Sequence, residues 1–165
     1  MPERRKGLWA RVTKSAMVHV ARTTVAATVS LVLAHGLRLP ESYWAAITTL
    51  IVMQSTLGAA LTVSTQRPVG TALGAGLGAL LGTFFPPSTL VFSVAVFGSG
   101  ILCALLGVER NAYRFASITL AIILLIARTA PPWVIAVHRF LEVSAGILVA
   151  LGLTAVWPER ETAAL

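Results

Sequence analysis

The chain has 165 residues, 56% of them hydrophobic and 12% charged, with a formal net charge of +7 and a mean hydropathy of +0.83. A soluble domain carries roughly a quarter of its residues as charges, so half that fraction excludes a fold whose whole surface meets water. Thirteen Lys+Arg oppose six acidic residues, but the basic residues lie scattered between apolar runs and form no stripe, which argues against a nucleic-acid partner and for loop charges facing anionic lipid.

A membrane span needs about 20 apolar residues at about 1.5 Å each. A basic segment, 1–14, with Arg4, Arg5, Lys6, Arg11 and Lys14, precedes the first candidate, which runs from Ser15 or Val18 to Leu37. That start resembles a signal peptide, but the remainder is equally apolar and makes no soluble product, so the segment is read as a retained span. Pro40 ends the following turn. The second candidate begins at Tyr43-Trp44 and runs to about Leu57, with Thr48, Thr49, Gln54, Ser55 and Thr56 making it polar. The third is Arg67 to Phe85, closed by Pro86-Pro87, and the fourth is Thr89 to Gly107. The fifth is short, Ala112 to Ala127, and Pro131-Pro132 follows it. The sixth is Trp133 to Trp157, before Pro158 and a short tail, 159–165.

Trp9, Trp44, Trp133, Trp157 and Tyr43 all fall at the expected interfaces, where an amphipathic ring keeps its polar edge wet. With six spans, Arg67, Arg110, Arg114 and Arg160 share the side of the basic N-terminal segment, whereas Arg38 and Arg128 lie opposite. Lys/Arg bias then places both termini in the cytoplasm. The expectation is an all-α integral membrane protein with one six-helix transmembrane domain, 15–158. Cys103, the single cysteine, is read as a small hydrophobe.

Gly70, Gly74, Gly78 and Gly82 recur every four residues in VGTALGAGLGALLGTF. On a helix they share a face, and their missing side chains let another backbone approach closely. Packing within the bundle is the simplest reading. A sliding surface or a dimer contact uses the same geometry.

Ionisable groups within spans carry the functional signal. Glu142 lies about 13 Å inside the sixth span, where a charge costs at least about 2.5–3.5 kcal/mol and requires a partner or a watery cavity. Arg139 at i−3 and His138 at i−4 share its face. A guanidinium sheltered from water attracts anions and forks its N–H groups onto a carboxylate. Glu142 competes for that group, so its protonation frees Arg139, which is a device for proton coupling. The alternative is a structural ion pair that snorkels outward. His138 either relays protons or is simply hydrogen-bonded. Arg22, about one turn inside the first span, is placed to snorkel to water or, with Arg67, to guide an anion from the cytoplasm. Gln54 either lines a cavity or bonds to neighbouring helices. His19 and His35 sit near span ends and carry little information.

Other chemistries are missing. No G-x-x-x-x-G-K-[ST], H-E-x-x-H or G-x-S-x-G occurs. The absence of Asp removes aspartate-based proteolysis and phosphotransfer, and one Cys with three scattered His gives no metal-ligand spacing. No enzyme activity, cofactor or metal is expected.

Four stretches together, LPESYWAAITTLIVMQSTLGAAL, QRPVGTALGAGLGALLG, ERNAYRFASITLAIILL and HRFLEVSAGILVALGLTAVWP, resemble the membrane domain of the fusaric-acid-resistance-like family. That family lies within the aromatic acid exporter superfamily, which also holds plant aluminium-activated malate channels. The likeness runs from about Leu37 to Pro158. It rests on the Tyr-Trp-Ala entry, the Arg-x-x-Gly-Thr-x-x-Gly-Ala run at Arg67–Ala75 and the Arg-x-x-Glu-x-x-x-Gly run at Arg139–Gly146. It implies a multi-pass six-helix bundle in a bacterial inner membrane, exporting aromatic or other organic carboxylates, with Arg67, Arg139 and Glu142 at family-like positions. Many relatives carry two bundles or a cytoplasmic domain. A single bundle then implies a homodimer. The alternatives are an anion channel of the same fold and a non-transporting subunit packed on a partner protein.

Overall fold

The apolar runs become helices in the computed structural model, which describes residues 14–53, 57–126 and 130–157. The basic segment before Lys14, together with Gln54, Arg128 and the tail from Pro158, lies outside the described residues. Six helices occur in chain order: α1 (Lys14–Gly36), α2 (Tyr43–Val52), α3 (Leu57–Phe84), α4 (Thr89–Leu105), α5 (Arg110–Leu125) and α6 (Pro132–Val156). Among the described residues there is no strand. By length and apolarity α1 and α6 each suffice to cross a bilayer, whereas α2 and α4 are shorter apolar helices.

Four of the six expected boundaries agree to within two residues. The second and third differ. The helix from Tyr43 stops at Val52, where Met53 turns extended with its N–H on the Thr49 carbonyl at 2.8 Å. The third helix begins ten residues before Arg67, at Leu57. The polar run that weakens hydropathy near Arg67 is helical interior, and Pro68 sits inside the helix. Its ring removes one N–H from the ladder, directly after Arg67.

The packing order is set by where side chains are missing. α3 packs most extensively on α5 and then on α6, and α6 also contacts α1 and α2. Gly70, Gly74, Gly78 and Gly82 are all buried. A Cβ on Gly70 would collide with the Ala112 carbonyl, and one on Gly74 with the backbone of Ala116. At Gly78 it would press on the Ile123 side chain at 3.2 Å. The ladder is thus a seam between α3 and α5. Gly76 stands off it, exposed, with nothing within 4 Å of its Cβ position.

The core is apolar, as in a soluble bundle, but so is the outer face, and ionisable groups lie inside. Val32, Phe97, Leu148 and Val156 point outward, each at least 65% exposed. Inside lie Arg22, Arg67, Arg139 and Glu142, none more than 4% exposed. Cys103 is buried. Apolar outside with ionisable groups inside is the arrangement a hydrocarbon solvent selects.

Arg22 does not snorkel. It is fully buried, and its guanidinium donates to the Trp157 carbonyl at 3.1 Å, at the C-terminal end of α6. A cation there satisfies an orphan carbonyl and opposes the negative end of the helix dipole. Arg22→Ala is expected to lower stability by about 1–3 kcal/mol, read as an earlier unfolding transition in detergent. An unchanged transition would mean the bond contributes nothing.

The bond also fixes the axial register. At about 1.5 Å per residue, Gly36 stands about 21 Å along α1 from Arg22, and Glu142 about 22 Å along α6 from Trp157. The turn after α1 therefore meets the middle of α6, about 15 Å short of Pro132. There Arg38 adopts φ +56°, a left-handed conformation that costs a side chain about 1–2 kcal/mol. The Arg38 and Leu39 N–H groups return to His35 and Ala34, so the chain reverses tightly and enters α2 inside the bundle.

Candidate functional site

Arg139 and Glu142 lie one turn apart on α6, facing inward, 3% and 0% exposed. Their ion pair, Nη1 to Oε2, spans 3.3 Å. The closer partner of Arg139 is Glu41, delivered by the turn before α2, whose Oε2 pairs with Arg139 Nη2. Glu41 also donates its backbone N–H to Glu142 Oε1 at 3.0 Å. That N–H is free for this bond because it precedes the first turn of α2. The Glu41 carbonyl meanwhile accepts from the Trp44 N–H at 2.9 Å.

The Glu41 carboxylate is thus surrounded by donors. Tyr43 Oη donates to its Oε2 at 2.9 Å and Trp44 Nε1 at 3.0 Å, alongside Arg139. The Trp44 ring lies under the Arg139 guanidinium at 4.4 Å, which is cation–π distance. Trp44 is half-buried beside the cation. Its N–H finds a carboxylate rather than water.

A cavity of about 130 Å³ opens beside these groups, lined by Pro40, Glu41, His138, Arg139 and Glu142 among others. Arg139 Nε and Glu142 Oε2 are buried and make no hydrogen bond among the described residues. Unsatisfied polar atoms in a dry interior cost about 1–3 kcal/mol each. Here both belong to residues that line a space that admits water or a polar ligand.

On the other side of Arg139 is a second, smaller cavity of about 10 Å³, lined by Trp44, Arg67, Phe115 and Arg139, with Thr71 and Thr119. Arg67 is 4% exposed and forks onto Thr48 Oγ1, from Nη2 at 2.9 Å and Nε at 3.2 Å. Its guanidinium lies over the Phe115 ring at 4.8 Å. Arg67 therefore has a hydroxyl and an aromatic face but no carboxylate partner in any described ion pair. Arg139 separates the two cavities, and each guanidinium rests on an aromatic ring.

Close helix contacts hold this geometry. A Cβ on Gly146 would strike the Ala45 carbonyl and the Thr48 side chain, so α2 lies directly on α6. Thr49 Oγ1 donates toward the Gly146 and Ala45 carbonyls, each at 3.0 Å. Beside Arg67, Gln66 donates to the Glu109 carboxylate, and Asn111 donates to Gln66 Oε1 at 3.2 Å. That cluster pins the α4–α5 turn to α3.

Of the residues singled out in the sequence, the structure brings Arg139, Glu142, His138 and Arg67 around the two cavities. Arg22 lies apart, at the far end of α6. Gln54 falls outside the described residues. Glu41, Trp44, Thr48 and Phe115 are site residues that the spacing of charges does not reveal. The signal for Glu41 is slight: an acid after Pro40, followed by two ring donors, Tyr43 and Trp44.

The profile of the fusaric acid resistance protein-like family matches residues 23–153. The uncharacterized transporter YdhK of Salmonella typhimurium strain LT2 is 29% identical over 157 residues, covering 90% of this chain and 23% of that protein. The uncharacterized transporter YdhK of Escherichia coli K12 is 31% identical over 149 residues, covering 85% of this chain and 22% of that protein. The chain therefore spans less than a quarter of the length of these curated relatives. No solved structure matches significantly.

Proposed function

Because the chain belongs to the fusaric acid resistance protein-like family, we propose that it carries organic carboxylate anions, aromatic ones foremost, across a bacterial inner membrane. The observation that supports this most is the pair of buried guanidinium groups, Arg67 and Arg139, each stacked on an aromatic ring, with Arg139 lining a cavity of about 130 Å³ and Arg67 a void of about 10 Å³ beside it. A planar aromatic acid presents a carboxylate to a guanidinium fork and a ring to an aromatic face. A buried cation with no such task is costly to keep, since apolar replacements are often neutral or stabilising.

In this reading Arg139 binds the carboxylate and Glu142 gates it or couples it to protons. Arg67 receives the anion on the side of the basic N-terminal segment. The six helices form one transmembrane bundle with both termini cytoplasmic, and α2, about 15 Å long, goes only partway through. Arg22 has a structural task at the end of α6 in place of guiding substrate.

A second copy completes the assembly. Between α3 and α6 an apolar groove of about 460 Å³ opens on the outer surface, lined by small residues, Ala72, Ala75, Gly76 and Ala79, beside Trp133 and Phe140. Small residues permit close helix approach in lipid, and the seam with α5 leaves Gly76 free for it.

The purified chain in liposomes is expected to accelerate benzoate efflux well above protein-free vesicles, and to run as a dimer by mass in detergent. Absence of flux from a stably folded protein, with a second protein recovered stoichiometrically from membranes, would favour a non-transporting subunit instead.

A further inference from the structure

We propose that Glu41 is a tethered competitor for the anion site: its carboxylate occupies Arg139 where a substrate carboxylate binds, and the substrate displaces it. This rests on the anion-binding reading of the site.

Three features of Glu41 carry it. First, its carboxylate is held as a bound anion would be, by the Arg139 guanidinium, the Trp44 indole N–H and the Tyr43 hydroxyl. Second, it is not locked in place. Its side chain is 37% exposed, against 3% for Arg139, and it lines the 130 Å³ cavity. Third, the backbone under it is anchored independently, through its N–H on Glu142 Oε1 and its carbonyl on the Trp44 N–H. The side chain is therefore free to swing while the turn stays put.

The two acids differ in role. Glu142 is fully buried and one turn from Arg139, so it neutralises the cation whichever anion is bound. Glu41 comes from another element and reaches over. An incoming carboxylate that takes the Arg139 fork leaves Glu41 the two ring donors, or water in the cavity. Release of substrate lets Glu41 return, so Arg139 is never left with Glu142 alone. A buried guanidinium N–H left without an acceptor is costly, and the tether keeps Arg139 Nη2 supplied through the cycle. Apparent affinity is then lowered by the fraction of molecules in which Glu41 holds the site.

Benzoate binding to the purified full chain in nanodiscs, measured by calorimetry, tests this. Glu41→Gln keeps the shape and its backbone bonds but removes the charge, and is expected to tighten benzoate binding by about tenfold or more. Glu41→Asp keeps the charge on a shorter stem and is expected to stay within about threefold of wild type, since a tethered anion still competes. A purely structural role predicts the reverse order, with the isosteric Gln the milder change. If Gln leaves affinity unchanged or weaker while Arg139→Ala loses binding, the tether is wrong and the anion site stands. If neither wild type nor Glu41→Gln binds benzoate, the anion reading fails and takes the tether with it. Should Glu41→Gln not purify as a folded particle, Glu41→Ser replaces it, its hydroxyl being too short to reach Arg139.

Discussion

Arg139→Ala is expected to reduce benzoate flux in proteoliposomes by about a hundredfold or more, to the level of empty vesicles, while also weakening the fold. Two carboxylates depend on this guanidinium, Glu41 and Glu142. Removing it leaves Glu142 fully buried without its cation, and breaking such a pair costs about 3–5 kcal/mol. The lower end applies, because Glu41 reaches solvent and Glu142 keeps the Glu41 N–H. Arg139→Lys separates the two effects. It retains a charge for Glu142 but loses the planar fork and its stacking on Trp44. A Lys variant with near-normal thermal unfolding and flux down at least about tenfold assigns Arg139 to the anion. Wild-type flux in both variants removes it from the path. Glu142→Gln is the companion measurement, since a coupling acid predicts flux that no longer responds to an imposed proton gradient.

The second large effect is at the seam. Gly74→Ala is expected to destabilise the bundle by about 1–3 kcal/mol, and Gly74→Val by more. The new Cβ meets the Ala116 backbone, with its Cα at 2.8 Å. Backbone in a paired helix cannot yield as a flexible side chain does, so α3 and α5 must separate along their whole contact. Gly70→Ala meets the same obstacle, with the Ala112 carbonyl carbon and Phe115 Cβ both at 2.9 Å. Phe115 is the ring under Arg67, so opening the seam also disturbs the smaller cavity. Gly98→Ala, in α4 and away from the groove, is the control. Nothing lies within 4 Å of its Cβ position, and alanine favours the helix over glycine by up to about 1 kcal/mol. Unfolding in detergent should rank Gly98→Ala as neutral or stabilising and Gly74→Ala as strongly destabilising. Equal effects at both positions would show that the seam does not hold the bundle.

Most helix ends were legible because they rest on local chemistry. The proline pairs and the switch from apolar to polar composition mark them, and packing does not move them. The gap between α2 and α3 was not legible. Thr62, Thr65 and Gln66 look like loop by composition, yet Thr62 and Thr65 return their hydroxyls to their own helix, and Gln66 bonds across to the α4–α5 turn. Satisfied internally, they continue α3. In the site, the Arg139–Glu142 pair follows from helical spacing alone. Glu41 does not, because its place depends on how far α1 rises before the chain turns, and that height is set by Arg22 bonding to Trp157 at the opposite end. A tertiary register of this kind leaves no trace in local composition. The glycine seam was half legible: the shared face follows from the four-residue period, but its facing helix, α5, does not.

The Arg22–Trp157 bond has one more consequence. It brings the first half of the first helix beside the end of the last, so α1 and α6 close the bundle side by side. Two such bundles can be written into one gene, end to end, with a tether that only bridges neighbours at the same end of the bundle. Duplication and fusion are therefore sterically undemanding routes from this unit to larger proteins.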